Sequence, residues 1–186
     1  MVTVRQGLTL DEFLALPEEK PALEYCEGVV TQKVAPKYEH SVLQGELIWE
    51  LRRQLEPEKI ARVLPEQRIV YLDRAYVPDV VVYRRERLPR RLGRQRIGEL
   101  CIPPDLAVEI ISPGETIGAL EAKCRWYVEH GVRGALLVDD RDETIRVFRP
   151  DAPPATHHRG DQIALDEVAP GLHLVLDEVF ATLDPE

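Results

Sequence analysis

Residues 106–138 read LAVEIISPGETIGALEAKCRWYVEHGVRGALLV, and this stretch decides the fold. It opens on a short apolar run, Leu106 to Ile111, which Pro103 and Pro104 introduce and Ser112, Pro113 and Gly114 end. Ile117, Leu120, Cys124, Tyr127 and Val128 then recur at helical spacing up to Gly131, where a C-terminal glycine cap belongs. Ala135 to Val138 is apolar again. Strand, helix and strand in this order make a βαβ crossover, which implies a parallel pair inside a mixed sheet. At about 100° per residue Lys123 falls beside Leu120 and Tyr127, on the border of the apolar stripe, so its amine can reach back toward the sheet.

Beyond Val138, Asp140 to Glu143 reads as a turn and Thr144 to Phe148 as a strand that pairs back by a short connection. DAPPATHHRGD, residues 151–161, reads as a loop, with His157 and His158 as loop residues. Leu172, Leu174 and Leu176 alternate as a last strand, and Asp177 is placed to cap a closing helix around Val179 to Leu183. Toward the N-terminus, Arg68 to Leu72 and the valine-rich run Val77 to Tyr83 read as paired strands turning at Asp73 and Arg74. Between Tyr38 and Leu55 the residues Leu43, Leu47, Leu51 and Leu55 define an amphipathic helix with His40 in its first turn. LEYCEGVV, from Leu23, predicts a hairpin turning at Glu27 and Gly28, while Thr9 and Glu12 form a capping box for a short helix that Pro17 stops. The expected architecture is one α/β domain over residues 1–186, a central mixed β-sheet flanked by helices, with an N-terminal helix and hairpin.

Composition narrows the function. With 44% apolar residues, the chain is long enough for one full core. Cys26, Cys101 and Cys124 stand far apart without a C-x-x-C pair, which argues against a zinc ribbon or disulfide framework and for a reduced compartment. No window approaches the ~20 apolar residues of a membrane span, so a cytoplasmic protein with no membrane partner is expected. The formal charge of −9 argues against a general polyanion binder, yet positive charge is concentrated locally. RRERLPRRLGRQR, residues 84–96, holds seven arginines against Glu86 alone. That asymmetry suits a surface that meets phosphate, with Arg84, Arg85, Arg87, Arg90 and Arg91 as candidate nucleic-acid contacts, or equally a solvated arginine-rich loop. Aromatics make up 6% of the chain, which gives stacking recognition of single strands little support.

Asp79 in VPDVVVY and Glu109 in LAVEIIS each sit in an apolar run, and a carboxylate buried without a partner costs several kcal/mol or takes up a proton. Two carboxylates at neighbouring strand ends suit a hard, oxygen-seeking cation such as Mg2+ or Mn2+, which lowers the pKa of a bound water and neutralises phosphate charge. Lys123 adds a point charge that can position the water. The same residues admit structural readings: Asp79 as partner of an arginine, Glu24 as an exposed hairpin residue, His40 as a cap or core residue, and Tyr127 as core packing.

The PD of Pro78 and Asp79, VEIISPGE from Val108 to Glu115, the K-x-x-x-Y of Lys123 and Tyr127 followed by EHGV, and a strand ending in VDD resemble the Uma2 family of restriction-endonuclease-like proteins. The likeness runs from LTLDEFLAL to the final LDEVF. This family is similar to PD-(D/E)XK nucleases, in which the lysine usually stands two positions after the second acid. Here Ile111 occupies that position, and the resemblance implies that Lys123 supplies the amine from the following helix. It further implies a restriction-endonuclease-like fold and metal-dependent cleavage of DNA. Asp79, Glu109 and Glu24 would be the metal-binding acids, Lys123 the catalytic lysine, and His40 and Tyr127 additional site residues. A homodimer is expected from the same resemblance. PGETIGALEA stands where many family members carry arginines, which shifts phosphate contact to residues 84–96. Two other classes stay open: a catalytically silent nuclease-fold module that binds nucleic acid or a protein, and a carboxylate-pair glycosidase that needs no metal.

Overall fold

A computed structural model describes residues 2–89 and 99–184. The chain begins with strand β1 (Val2–Gln6) and helix α1 (Leu10–Leu14). Thr9 and Glu12 close the expected capping box on α1. Strands β2 (Leu23–Cys26) and β3 (Val29–Gln32) form the expected hairpin. Its turn places Glu27 at φ 49° and Gly28 at φ 85°, the left-handed pair that a two-residue hairpin turn requires. Helix α2 (Tyr38–Leu55) follows, then β4 (Ala61–Pro65), β5 (Ile69–Tyr71), β6 (Arg74–Tyr76) and β7 (Val80–Arg84). β8 (Leu106–Ile110), helix α3 (Ile117–Glu129) and β9 (Gly134–Asp139) are the crossover, with β8 and β9 parallel. β10 (Thr144–Arg149), β11 (Ala152–His158), β12 (Gln162–Ala164), β13 (His173–Val175) and helix α4 (Leu176–Ala181) complete the fold.

The central sheet has six strands in the order β11-β10-β9-β8-β7-β4, mixed because only β8 and β9 run parallel. A five-stranded sheet, β1-β3-β2-β6-β5, lies beside it, and β12 pairs with β13. Side-chain alternation sorts the central strands onto two faces. Val80, Val82, Leu106, Val108, Ile110, Leu136 and Val138 pack with Leu43, Leu47, Leu51 and Leu55 of α2 and Phe180 of α4. Val81, Tyr83, Ala107, Ala135 and Leu137 pack with Leu120, Cys124 and Tyr127 of α3 and with Ile69 and Tyr76 of the second sheet. Glu109 belongs by alternation to the α3 face. Among the described residues no helix is long and apolar enough to cross a membrane.

The structure corrects several expectations. Val77 to Tyr83 is not one strand paired with Arg68 to Leu72: β6 ends at Tyr76, and β7 begins at Val80 in the other sheet between β4 and β8. Pro78 has no N–H to give a ladder, and the chain uses that break to change sheets. The preceding turn centres on Leu72 and Asp73, at φ 51° and 55°, because Tyr71 pairs with Arg74. Residues 152–158 form the edge strand β11, where Pro153 and Pro154 are tolerated because an edge strand need not donate on both sides. Asp177 does not cap α4; its Oδ1 accepts from the Gly160 N–H at 3.2 Å.

Candidate active site

Asp79 sits where the chain crosses from one sheet to the other, one residue before β7. Its Oδ2 accepts the backbone N–H of Ile110 at 2.7 Å, and its own carbonyl accepts Gln44 Nε2 of α2 at 2.9 Å. The β7–β8 register pairs Val80 with Val108, so one step further sets Asp79 against Glu109. Lys123 and Tyr127 descend from α3, one helical turn apart, onto the same face. The Tyr127 hydroxyl donates to Glu109 Oε1 at 2.8 Å, and Lys123 Nζ lies 2.9 Å from that oxygen. Glu24 comes from β2, its neighbours Leu23 and Tyr25 turned to a separate apolar cluster. Its Oε1 accepts Lys123 Nζ at 2.7 Å and the Val77 N–H at 2.6 Å.

Two further groups complete the cluster. His40 Nε2, in the first turn of α2, lies 3.3 Å from Asp79 Oδ2. Lys33, just past β3, donates to Asp79 Oδ1 at 2.5 Å and to the Val77 carbonyl at 2.8 Å. All six residues marked from the sequence as catalytic therefore meet in one place: Glu24, His40, Asp79, Glu109, Lys123 and Tyr127 are each at most 5% exposed. Glu24 is buried rather than an exposed hairpin residue, and Asp79 pairs with a lysine and a histidine rather than an arginine. Lys33 and Gln44 were not marked. Lys33 stands in TQKVAP, a stretch with no periodic pattern, and only the hairpin register brings it to Asp79.

The charges in this pocket do not balance. Three carboxylates, Glu24, Asp79 and Glu109, face two ammonium groups, Lys33 and Lys123. Burial opposes ionisation of Asp79, but Lys33 and His40 more than offset it and hold the carboxyl well below its ordinary range. Glu109 takes the opposite course. Burial, only partly offset by Lys123 and Lys33 and reinforced by Asp79 and Glu24, pushes it up to about 7. Burial works against the charge on Lys123, yet Glu109 and Glu24 overcome it and keep the amine protonated. The same burial, together with Glu109, raises the Tyr127 hydroxyl well above its usual range, so it stays a donor.

Whether these residues suit a hard cation is a question of donors and charge. The donors are oxygens, the set carries one carboxylate more than it has amines, and Glu24 Oε2 is buried without a hydrogen-bond partner among the described residues. Those features fit Mg2+ or Mn2+. As they stand, no three His, Cys, Asp or Glu side chains among the described residues are set around a common point as a metal cage. Lys123 instead bridges Glu24 and Glu109, and Lys33 occupies Asp79, so a cation would enter by displacing an amine from an oxygen.

The arginine segment begins elsewhere. Arg84 closes β7 at the end away from Asp79, and five residues at about 3.3 Å each separate the two by roughly 16 Å. Arg84 Nε and Nη2 donate to the Val168 and Glu167 carbonyls, and its backbone N–H bonds Asp105. Arg87 Nη1 lies 2.8 Å from Asp105, where Arg133 also arrives at 3.1 Å. Asp105 is fully buried, so the guanidinium groups of Arg84 and Arg87 anchor the start of β8 rather than standing free for phosphate. Arg85 is half-buried, and Arg90 and Arg91 lie outside the described residues.

A mixed α/β domain with acids from two adjacent strands and a lysine from the crossover helix, gathered at one end of the sheet, has the plan of restriction-endonuclease-like proteins. A solved structure from Anabaena variabilis ATCC 29413, described as "a putative nuclease belonging to DUF820", is 32% identical to this chain, with a TM-score of 0.89 over 95% of this chain and 99% of that one. Residues 10–177 match the Uma2 family, described as "Putative restriction endonuclease", and the chain belongs to that family. No curated protein matches it.

Proposed function

We propose that the protein is a metal-dependent endonuclease that hydrolyses phosphodiester bonds in DNA with Mg2+ or Mn2+. The observation that carries this reading is the buried excess of carboxylate over amine around Lys123, in a chain of a nuclease family. Asp79, Glu109 and Glu24 hold the cation, which when bound supplies an activated water and charge neutralisation at the phosphate. Tyr127 and His40 orient the carboxylates, each bonding one oxygen of Glu109 and Asp79 respectively. Lys123, braced between Glu24 and Glu109, fixes these two carboxylates and, through them, the place of the attacking water. Phosphate contact by the arginine segment falls to groups other than Arg84 and Arg87. Two copies acting together in the cytoplasm would cut both strands of a duplex.

The test incubates purified protein with supercoiled, linear and branched DNA and with RNA, in Mg2+, Mn2+ and EDTA, beside Glu109→Gln and Lys123→Ala. Metal-dependent nicking lost in both variants is the expected result. Cleavage that persists in EDTA or in Lys123→Ala refutes the proposal. Nucleic-acid binding without cleavage in any metal assigns the protein to the silent-module class instead.

A further inference from the structure

We infer that Lys33, rather than Lys123, is the amine that touches the scissile phosphate. This rests on the nuclease reading above and assigns a further group within that site. An ammonium carries three N–H donors. Around Lys123 the surroundings are complete: Glu24 Oε1 at 2.7 Å, Glu109 Oε1 at 2.9 Å, and the Tyr76 ring with its centroid 5.0 Å from Nζ. Its side chain is 4% exposed. A group so enclosed holds its neighbours in place but has nothing left for a ligand arriving from solvent.

Lys33 differs on both counts. Among the described residues its ammonium has two acceptors, Val77 O and Asp79 Oδ1, which leaves one donor unused. Its side chain keeps 13% exposure against 4% for that of Lys123, so Lys33 is the less enclosed of the two lysines. The two bonds also fix Nζ in advance, and a preset charge stabilises a developing phosphate charge without reorganising at the moment of reaction. Arg84 and Arg87, at the other end of β7, cannot serve the same phosphate because their guanidinium groups are committed to Asp105 and to the Val168 and Pro103 carbonyls. Lys123 is then a positioning residue, acting through Glu24 and Glu109.

The test compares wild type, Lys33→Met, Lys33→Arg and Lys123→Met in two assays. The first is plasmid nicking in Mn2+; the second is binding of a fluorescent duplex in Ca2+ across a salt series. Lys33→Met should nick about 100-fold more slowly, the usual cost of one preset charge donor. It should also lower the salt slope of binding by about one counterion, while Lys33→Arg restores that slope. Lys123→Met should keep the wild-type slope even as it loses activity. An unchanged slope in Lys33→Met overturns the inference even if nicking falls, because a purely structural lysine would behave that way. A slope lowered by Lys123→Met instead also overturns it. If wild type nicks and Lys33→Met stays within threefold, this inference fails and the nuclease reading stands. If wild type cleaves nothing in any metal, the nuclease reading fails and takes the inference with it.

Discussion

Replacing Glu109 by glutamine should make the metal-free protein more stable at alkaline pH, and the gain should vanish on acidification. Glu109 is 2% exposed and its carboxyl is pushed from 4.5 to about 7. Between those values the folded state keeps a proton that the unfolded chain has released, so stability falls as pH rises through the interval. Below 4.5 the penalty is absent; above 7 it is complete. At 1.36 kcal/mol per pH unit, the interval amounts to about 3 kcal/mol. Glutamine keeps an oxygen for Tyr127 and Lys123 but never ionises, so Glu109→Gln escapes the penalty. Urea unfolding followed by circular dichroism, in EDTA at half-unit steps from pH 4.5 to 8.5, should show the two proteins equal at the acid end. The variant should lead by about 3 kcal/mol at the alkaline end. A pH-independent difference, or a variant less stable than wild type at pH 8, would show that the Glu109–Lys123 attraction outweighs desolvation and would refute the reasoning.

One further outcome follows from the same site and one from the opposite end of β8. Mn2+ at a hundred times its dissociation constant should stabilise the wild type by about 2.7 kcal/mol, roughly 5–10 °C in Tm, and Glu24→Gln should lose that shift because it neutralises the carboxylate with the unpartnered oxygen. Differential scanning calorimetry with and without Mn2+ reads it directly. Asp105→Asn should lower the urea midpoint by an amount equivalent to about 2 kcal/mol, below the usual cost of breaking a buried pair because its three arginines are only partly buried. The Mn2+ shift should survive in that variant, since Asp105 precedes β8 at the end of the sheet away from Glu109.

What the sequence disclosed follows the range of the interactions involved. The Thr9–Glu12 capping box, the leucine ladder of α2 and Gly131 at the end of α3 are set by contacts within a few residues, and all three stand as read. β4 carries Arg62 between buried Ala61 and Val63 and ends on Pro65, a weak pattern that only pairing with β7 turns into a strand. β11 was hidden by its prolines. The site itself was legible where an acid interrupted an apolar run, at Asp79 and Glu109, because a buried charge is costly enough to mark itself. Lys33 left no such mark: its partner lies 46 residues away, and nothing local requires a lysine there.

The position of Lys123 shows why an amine can reach the second acid by more than one route. Glu109 and Ile111 are two apart on an extended segment, so both point to the α3 face, and a lysine at 111 would stand on the same side of the sheet as Glu109. Ile111 instead packs with Leu120 and Cys124 in the apolar layer beneath α3. The helix returns the charge from above, since Lys123 is three residues past Leu120 and four before Tyr127, both fully packed against the sheet. The cation reaches the acid either way, but its placement now depends on how α3 docks rather than on the strand that carries Glu109. Loosening that docking, by removing the Leu120 side chain for example, should therefore disturb the Lys123–Glu109 distance before it disturbs the Asp79–Ile110 bond, which belongs to the sheet alone.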